Sequence, residues 1–314
     1  MSRPIFRAAS IGIDLSLCLQ RGVFMKAIKG LITTLIVIVA IAGVAIIGGY
    51  IYVRSTYGID LFNTAGQLKT LSQKPDESAL CPNAFSASDM ADVKTNLDIK
   101  ANGLITYEEG KGYNGYTVNL SAVSSLEQFT GGIAFSSKQA GALAQTVFYE
   151  QTGGKVKVAD KELSAAIVQV DFLNITEDGS ADFNVVAKIS LAPFKEDMNG
   201  FPFKLFKKYV PDDLYVSSTV SVLKTGEGMA YEVNNKELKL NNLSAADTAD
   251  LFHTLDAVIK IGSAENLNMQ IGRTAVNALI GNAENVGFAY SMQALGKTSF
   301  EFAVINGQSC FIIY

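Results

Sequence analysis

Tryptophan is absent, histidine occurs once and cysteine three times in 314 residues. The single histidine, His253, excludes His-rich metal sites and the conventional zinc motifs, which need several His or Cys ligands at short spacing. A Ser-His-Asp arrangement has to use His253, yet no Gly-x-Ser-x-Gly elbow presents a serine to it. No glycine-rich loop precedes a helix in the setting that cradles phosphate. Acidic pairs such as Asp212-Asp213 and Glu108-Glu109 lie beside turn residues and are common enough to arise by chance. No catalytic residue, metal ligand or cofactor is therefore assigned. Hydrolases built on two carboxylates leave little local trace, so that class stays open as an alternative.

Positive charge is also scarce beyond the first sixth of the chain. Setting aside the six Lys/Arg and one Asp before Ser55 leaves twenty basic against twenty-nine acidic side chains. Nucleic acid is disfavoured as a partner, because its binding surfaces need clustered Lys and Arg.

One stretch has no charge at all. Residues 30–53 run twenty-four positions between Lys29 and Arg54 without an ionisable acid or base. As a helix they reach about 36 Å, enough to cross a hydrocarbon core of about 30 Å with some tilt. Arg3, Arg7, Arg21, Lys26 and Lys29 precede this run and Arg54 alone follows closely, so the positive-inside rule puts the N-terminus in the cytoplasm and the bulk of the chain outside the plasma membrane. Tyr50, Tyr52 and Tyr57 cluster where the span leaves the bilayer. The rival reading is a cleaved secretory signal ending near Ala40-Ile41-Ala42, but the apolar run continues well past that point. Ala45 and Gly49 form a small-xxx-small pair of the kind that brings spans together.

The organisation that follows is a tail or mis-assigned start over 1–24, with Met25 a second candidate initiator; a signal-anchor helix over 25–54; juxtamembrane helices over 55–95; and an exported α+β domain over 96–314, which divides into similar units at about 96–200 and 210–314. The expected fold class is α+β, with the transmembrane helix followed by curved antiparallel meander sheets packed on a few amphipathic helices. Cys81 and Cys310 both fall in the exported part, where two thiols can pair provided that their Cα atoms lie within about 7 Å. The alternative is that both are small buried hydrophobes.

Local signals fix several elements. Asp60 caps a helix in which Leu61, Phe62, Ala65, Leu68 and Leu71 recur at helical spacing, lying on the bilayer or packing on the domain. Ser86 and Asp89 form a capping box between the staple residues Phe85 and Met90, and Ser244 with Asp247 forms another, opening a helix through about Lys260. Strands are expected over 103–107 and 116–120 around a glycine-rich turn, over 133–135 ahead of a helix over 138–150, and over 164–174 and 182–191 as a hairpin. The same order is expected to return: a strand at 269–271, a helix over 274–282, and strands over 286–293, 298–305 and 309–314, the last two joined by Asn306-Gly307. Asn119, Asn174 and Asn242 stand in glycosylation sequons that matter only in a glycosylating host. Phe201, Phe203, Phe206 and Tyr209 sit among three lysines, which suits contact with a membrane interface or the lip of an apolar groove; the alternative turns these aromatics to the core.

The run Phe135-Ser136-Ser137-Lys138-Gln139-Ala140-Gly141-Ala142-Leu143, followed by long alternating strands, resembles the strand, capped helix and meander of uncharacterised bacterial envelope proteins with one N-terminal span. Their plan is similar to tubular lipid-binding and AsmA-like domains, in which a curved sheet wraps a helix around an apolar groove. The resemblance covers 132–191 and again 269–314, and it implies a lipid-like ligand, with no site residues carried over. The function expected is a membrane-anchored envelope protein that binds a lipid-like ligand or an envelope partner without catalysis. A scaffold or regulator acting through protein contacts is the alternative.

Overall fold

A computed structural model describes residues 61–158, 161–197, 199, 207–259 and 263–314. It is mixed α+β, with antiparallel sheets and several helices. The uncharged run over 30–53 lies outside the described residues, as do Asp60, Phe201, Phe203 and Phe206; among the described residues no helix is long and apolar enough to cross a membrane.

The chain enters through α1 (Leu61–Ser72), α2 (Glu77–Leu80) and α3 (Ala87–Asp98). Of the two places open to α1, the body takes it. Leu68 and Leu71 are buried in the core, and Asn63 and Gln67 donate to Asp250 at 2.7 and 2.8 Å. The capping box of α3 forms as the sequence dictates, with the Ser86 amide donating to Asp89 at 2.7 Å. Its staple also forms: Met90 is buried and Phe85 packs on the core, where a Cβ on Gly141 would sit 2.6 Å from the Phe85 ring.

A small hairpin, β1 (Ile105–Tyr107) with β2 (Tyr116–Val118), precedes β3 (Ile133–Ser136) and α4 (Ser137–Thr152). Ser136 and Gln139 cap α4 reciprocally, and Gly153 ends it in the left-handed region at φ 68°. Glu150 in the last turn accepts the Val118 amide, and burial pushes its carboxyl up to about 7 from 4.5. Between those two values the folded chain holds more protons than the unfolded one, so stability falls as pH rises through this window and stays lowered above it. Glu150→Gln keeps an acceptor for the amide and removes the charge. It is expected to raise stability at pH 8 by about 1 kcal/mol, allowing for solvent screening of this half-buried group, and to change nothing at pH 4.5. Melting temperatures at the two pH values check this, and an equal shift at both would assign the effect to packing.

The principal sheet has the order β4-β5-β6-β7-β8, all antiparallel: β4 (Lys155–Val158), β5 (Lys161–Leu173), β6 (Ala181–Ser190), β7 (Asp213–Lys224) and β8 (Tyr231–Leu240). The short helix α5 (Ala192–Asp197) and a 3₁₀ turn at Lys207–Tyr209 lie between β6 and β7. Strands β7 and β8 have no counterpart among the strands expected from the sequence. Strand β7 alternates Val216, Val220 and Val222 with Ser217, Thr219 and Ser221, a β-branched signature, whereas β8 is lysine- and asparagine-rich because it is an edge.

After β8 come α6 (Ala245–Ile259) and α7 (Ala264–Leu279), which pack on β7 and β8. Ser244 caps α6, its Oγ accepting the Asp247 amide at 3.1 Å and donating to Asp247 Oδ2 at 2.6 Å, and His253 is exposed. The strand expected at 269–271 is instead the middle of α7, where Leu267, Ile271, Val276 and Leu279 form the buried helical stripe. The strand expected over 286–293 is also helical: α8 (Phe288–Ser291) runs into a 3₁₀ turn at Met292–Leu295, and its buried residues Phe288, Ala289, Met292 and Leu295 recur at helical spacing. The second half therefore does not repeat the strand-and-helix order of the first.

The last hairpin is as expected. Strands β9 (Phe300–Ile305) and β10 (Gln308–Ile313) are joined by Asn306 and Gly307, both at positive φ, and β10 also pairs with β3. Phe172 on β5 links the two sheets, its ring centroid 4.9 Å from Phe302 and 5.9 Å from Phe183. One continuous hydrophobic core runs from Leu68 to Ile313.

Candidate functional site

Helix α7 crosses the sheet closely because Gly272 has no side chain: a Cβ there would stand 2.2 Å from Val220 Cγ1. One turn earlier Asn268, fully buried, spans the bulge where β7 and β8 slip register between Thr219 and Val220. Its Nδ2 donates to the Thr219 carbonyl at 2.8 Å and to Asn235 Oδ1 at 2.9 Å, and its Oδ1 accepts from Ser218 Oγ at 2.7 Å. A bulge leaves ladder groups without their strand partner, and this one amide satisfies them.

Beside that anchor an open cleft of mixed polar and apolar lining lies between α7 and the first half of β8. One lobe, of about 620 Å³, is lined by β8 residues Tyr231 to Asn234 and the turn before them, with Arg273, Asn277 and Asn282 opposite. The adjoining lobe, of about 440 Å³, runs along α7 past Asn266, Gln270, Arg273, Thr274 and Asn277 to Asn285. Arg273 and Asn277 belong to both.

The walls are fixed. Tyr231 donates its hydroxyl to Asn277 Oδ1 at 2.5 Å, and burial pushes that phenol up to about 12, so it remains a neutral donor at any physiological pH. Asn282 Oδ1 accepts the amides of Glu284 and Asn285 at 3.0 and 2.8 Å, folding the 282–285 loop onto itself. Behind the loop Gly281 and Gly287 meet backbone to backbone; a Cβ on Gly287 would lie 2.1 Å from the Asn277 carbonyl.

Arg273 is exposed and makes no hydrogen bond or ion pair to any described residue. The chain has five arginines, and the other four, Arg3, Arg7, Arg21 and Arg54, all precede the described residues. An unpaired guanidinium among amides, with a fixed tyrosine beside it, can bind a carboxylate or phosphate through two parallel N–H bonds. Among the described residues the lining holds one carboxylate, Glu232, and no nucleophile hydrogen-bonded to it.

The other sequence-derived candidates lie elsewhere. Tyr209 ends a 3₁₀ turn that packs against α1. Cys81 and Cys310 are free thiols, so no bridge joins them. Cys81 closes α2, whereas Cys310 sits within β10 opposite Ser136 and Ala303, its neighbours in the ladder. Burial pushes the Cys81 thiol up to about 11 and raises Cys310 as well, which keeps both protonated and poorly nucleophilic.

The carboxylate pairs divide between separate lysines: Asp212 meets Lys195 at 2.6 Å, Asp213 meets Lys188 at 3.3 Å, and Glu108 meets Lys111 at 2.8 Å. On the outer face of the sheet Asp171 and Asp182 are diagonal neighbours on β5 and β6, and both are held by hydrogen bonds. Burial pushes Asp182 up, but Asn174, Ser221 and Lys236 outweigh it and hold the carboxyl below its usual value, the opposite of what a general acid needs.

The local reading of the sequence missed the cleft, though a signal was present: one arginine in residues 55–314, followed by Asn277, Asn282 and Asn285 within twelve positions. No family model, curated protein or solved structure matches the chain.

Proposed function

We propose that this chain is a single-span anchored binding protein of a bacterial envelope: residues 30–53 cross the plasma membrane, and the acidic α+β body outside offers the Arg273 cleft to a polar ligand without converting it. The observation that carries the reading is where α1 docks. The tether joins α1 at Leu61, and there Asn63 and Gln67 donate to Asp250 of α6, the helix that follows the C-terminal end of β8; at its other end Asn241 Nδ2 donates to the Leu71 carbonyl at 3.0 Å, so α1 lies along that end of the body. The cleft lies at the other end of β8, about 30 Å of strand away. Six residues, 55–60, separate Arg54 from α1 and span at most about 20 Å. The tether thus holds one end of the body near the bilayer and leaves the cleft at the other.

The ligand class also follows from the lining. Lipid-like ligands select deep apolar cavities, whereas this cleft is open and sets Asn, Gln, Thr, Tyr, Glu and Arg beside Met229, Val233 and Met269. The lipid expectation keeps a second place, near the tether. The 3₁₀ turn at Lys207–Tyr209 packs on α1, which supports a membrane-surface contact for Phe201, Phe203, Phe206 and Tyr209.

The test uses the full chain in lipid nanodiscs, with the native cysteines replaced by alanine and a fluorophore placed at Ala246→Cys or at Glu227→Cys. Quenching by brominated lipid is expected at position 246 and not at 227; the reverse order would overturn the topology. A thermal-shift screen of the wild-type chain against peptides, oligosaccharides and phosphates, beside lipid vesicles, tests the ligand class. A saturable shift is expected from a polar class, and a shift from vesicles alone would return the reading to a lipid.

A further inference from the structure

We propose that the Arg273 cleft captures an extended peptide, which adds as a strand to the first half of β8 and places a carboxylate on Arg273. The inference rests on the cleft being a binding site and names its ligand.

Strand β8 ends the principal sheet, pairing with β7 on one side only. Alternate residues of an edge strand turn their N–H and C=O groups away from the sheet. Among the described residues, no main-chain group takes up that free edge between Tyr231 and Lys239.

The two halves of the edge differ. In the second half the register slips, with Lys236 as the unpaired residue, its ammonium turned across the sheet to Asp182 at 3.6 Å, and the ion pair of Lys239 with Glu237 stands beside it; bulges and charges are the devices by which proteins keep an edge from recruiting another strand. The first half pairs in unbroken register, Tyr231 with Lys224, Glu232 with Leu223 and Val233 with Val222. It carries one charge, Glu232, and neither a lysine nor a bulge. This less protected stretch is the one that floors the cleft.

A groove between an edge strand and a neighbouring helix is the geometry in which extended peptides bind by strand addition. Main-chain bonds supply affinity, and side-chain contacts supply selection. Here the helix is α7, and the selecting group it brings to the groove is the unpaired guanidinium of Arg273, which favours an acidic side chain or a free C-terminal carboxylate. Asn277 and Tyr231 hold each other, so they form a wall instead of competing for the carboxylate.

The test is selection from a soluble decapeptide library on the full chain in nanodiscs, with half of the library ending in a free carboxylate and half in an amide. Binders are expected to share an acidic group. Loss of binding in the amide half only would identify the C-terminus as that group, and retention would identify a side chain. Arg273→Gln is expected to weaken the selected peptides at least tenfold, with Arg273→Lys in between. In the complex, alternate peptide amides and the outward amides of Tyr231 to Asn234 are expected to be protected from hydrogen exchange. The proposal is overturned if no peptide is selected, if Arg273→Gln binds equally well, if the amides exchange freely, or if sedimentation shows the edge already paired with a second copy of the chain. Selection of oligosaccharides or phosphates in the thermal-shift screen without peptides would overturn this inference and leave the binding role of the cleft standing.

Discussion

Phe172→Ala is expected to cost about 4 kcal/mol, the middle of the range for removing a buried aromatic ring. Phe172 is about 1% exposed on β5, and its ring lies 4.9 Å from Phe302 and 6.3 Å from Phe311 on the terminal hairpin and 5.9 Å from Phe183 on β6. The five-stranded and three-stranded sheets share few main-chain bonds; one is the Phe302 amide to the Gly179 carbonyl at 3.0 Å. Their association therefore depends on this aromatic cluster. The rings of Phe300, Phe302 and Phe311 touch one another and cannot collapse into the vacated space without breaking the β9–β10 register. A fall in urea midpoint at unchanged slope is the expected signature. A change of slope would mean that the terminal hairpin unfolds separately.

Asn268→Leu is expected to cost about 3 kcal/mol, although leucine keeps the branched shape of asparagine. The loss comes from stranded polar groups: the Thr219 carbonyl at the bulge and Asn235 Oδ1 lose their donor, and the fully buried Ser218 hydroxyl keeps only the longer bond to the Asn268 main-chain carbonyl at 3.3 Å. Leucine cannot replace the amide at any of them. Asn266→Leu on the same helix faces solvent, so its expected effect stays within about 0.5 kcal/mol. Comparable costs for the two variants would show that helix propensity, not the bulge network, sets the stability. Since Asn268 holds α7 against β7 and β8, its loss is also expected to open the cleft and loosen peptide binding, although Asn268 does not line it.

Features dictated over a few residues are legible in the sequence. The Ser86–Asp89 capping box, the Ser244 cap, the Phe85 and Met90 staple, the Asn306-Gly307 turn and the β5–β6 hairpin depend on groups close in sequence, and each forms where its residues require. Errors arise where the local signal is ambiguous. The short apolar runs at 269–271 and 286–293 suit a strand as well as a helix over three to eight residues, and packing of Ile271, Phe288 and Met292 into one core decides for helix. Strand β8 escapes notice because an edge strand carries charge on its open side, which dilutes alternation.

What the sequence by itself determined is the uncharged run with its basic flank, the acidic balance beyond it, and the caps and turns of the α+β body, since charge counts and short-range hydrogen bonds need no distant partner. Tertiary structure alone decided that α1 packs on the body, that Cys81 and Cys310 remain separate thiols, and that Tyr231, Arg273 and Asn285 border one cleft. These residues lie up to fifty-four positions apart, and they meet only because Gly272 and Asn268 seat α7 on a bulged edge strand.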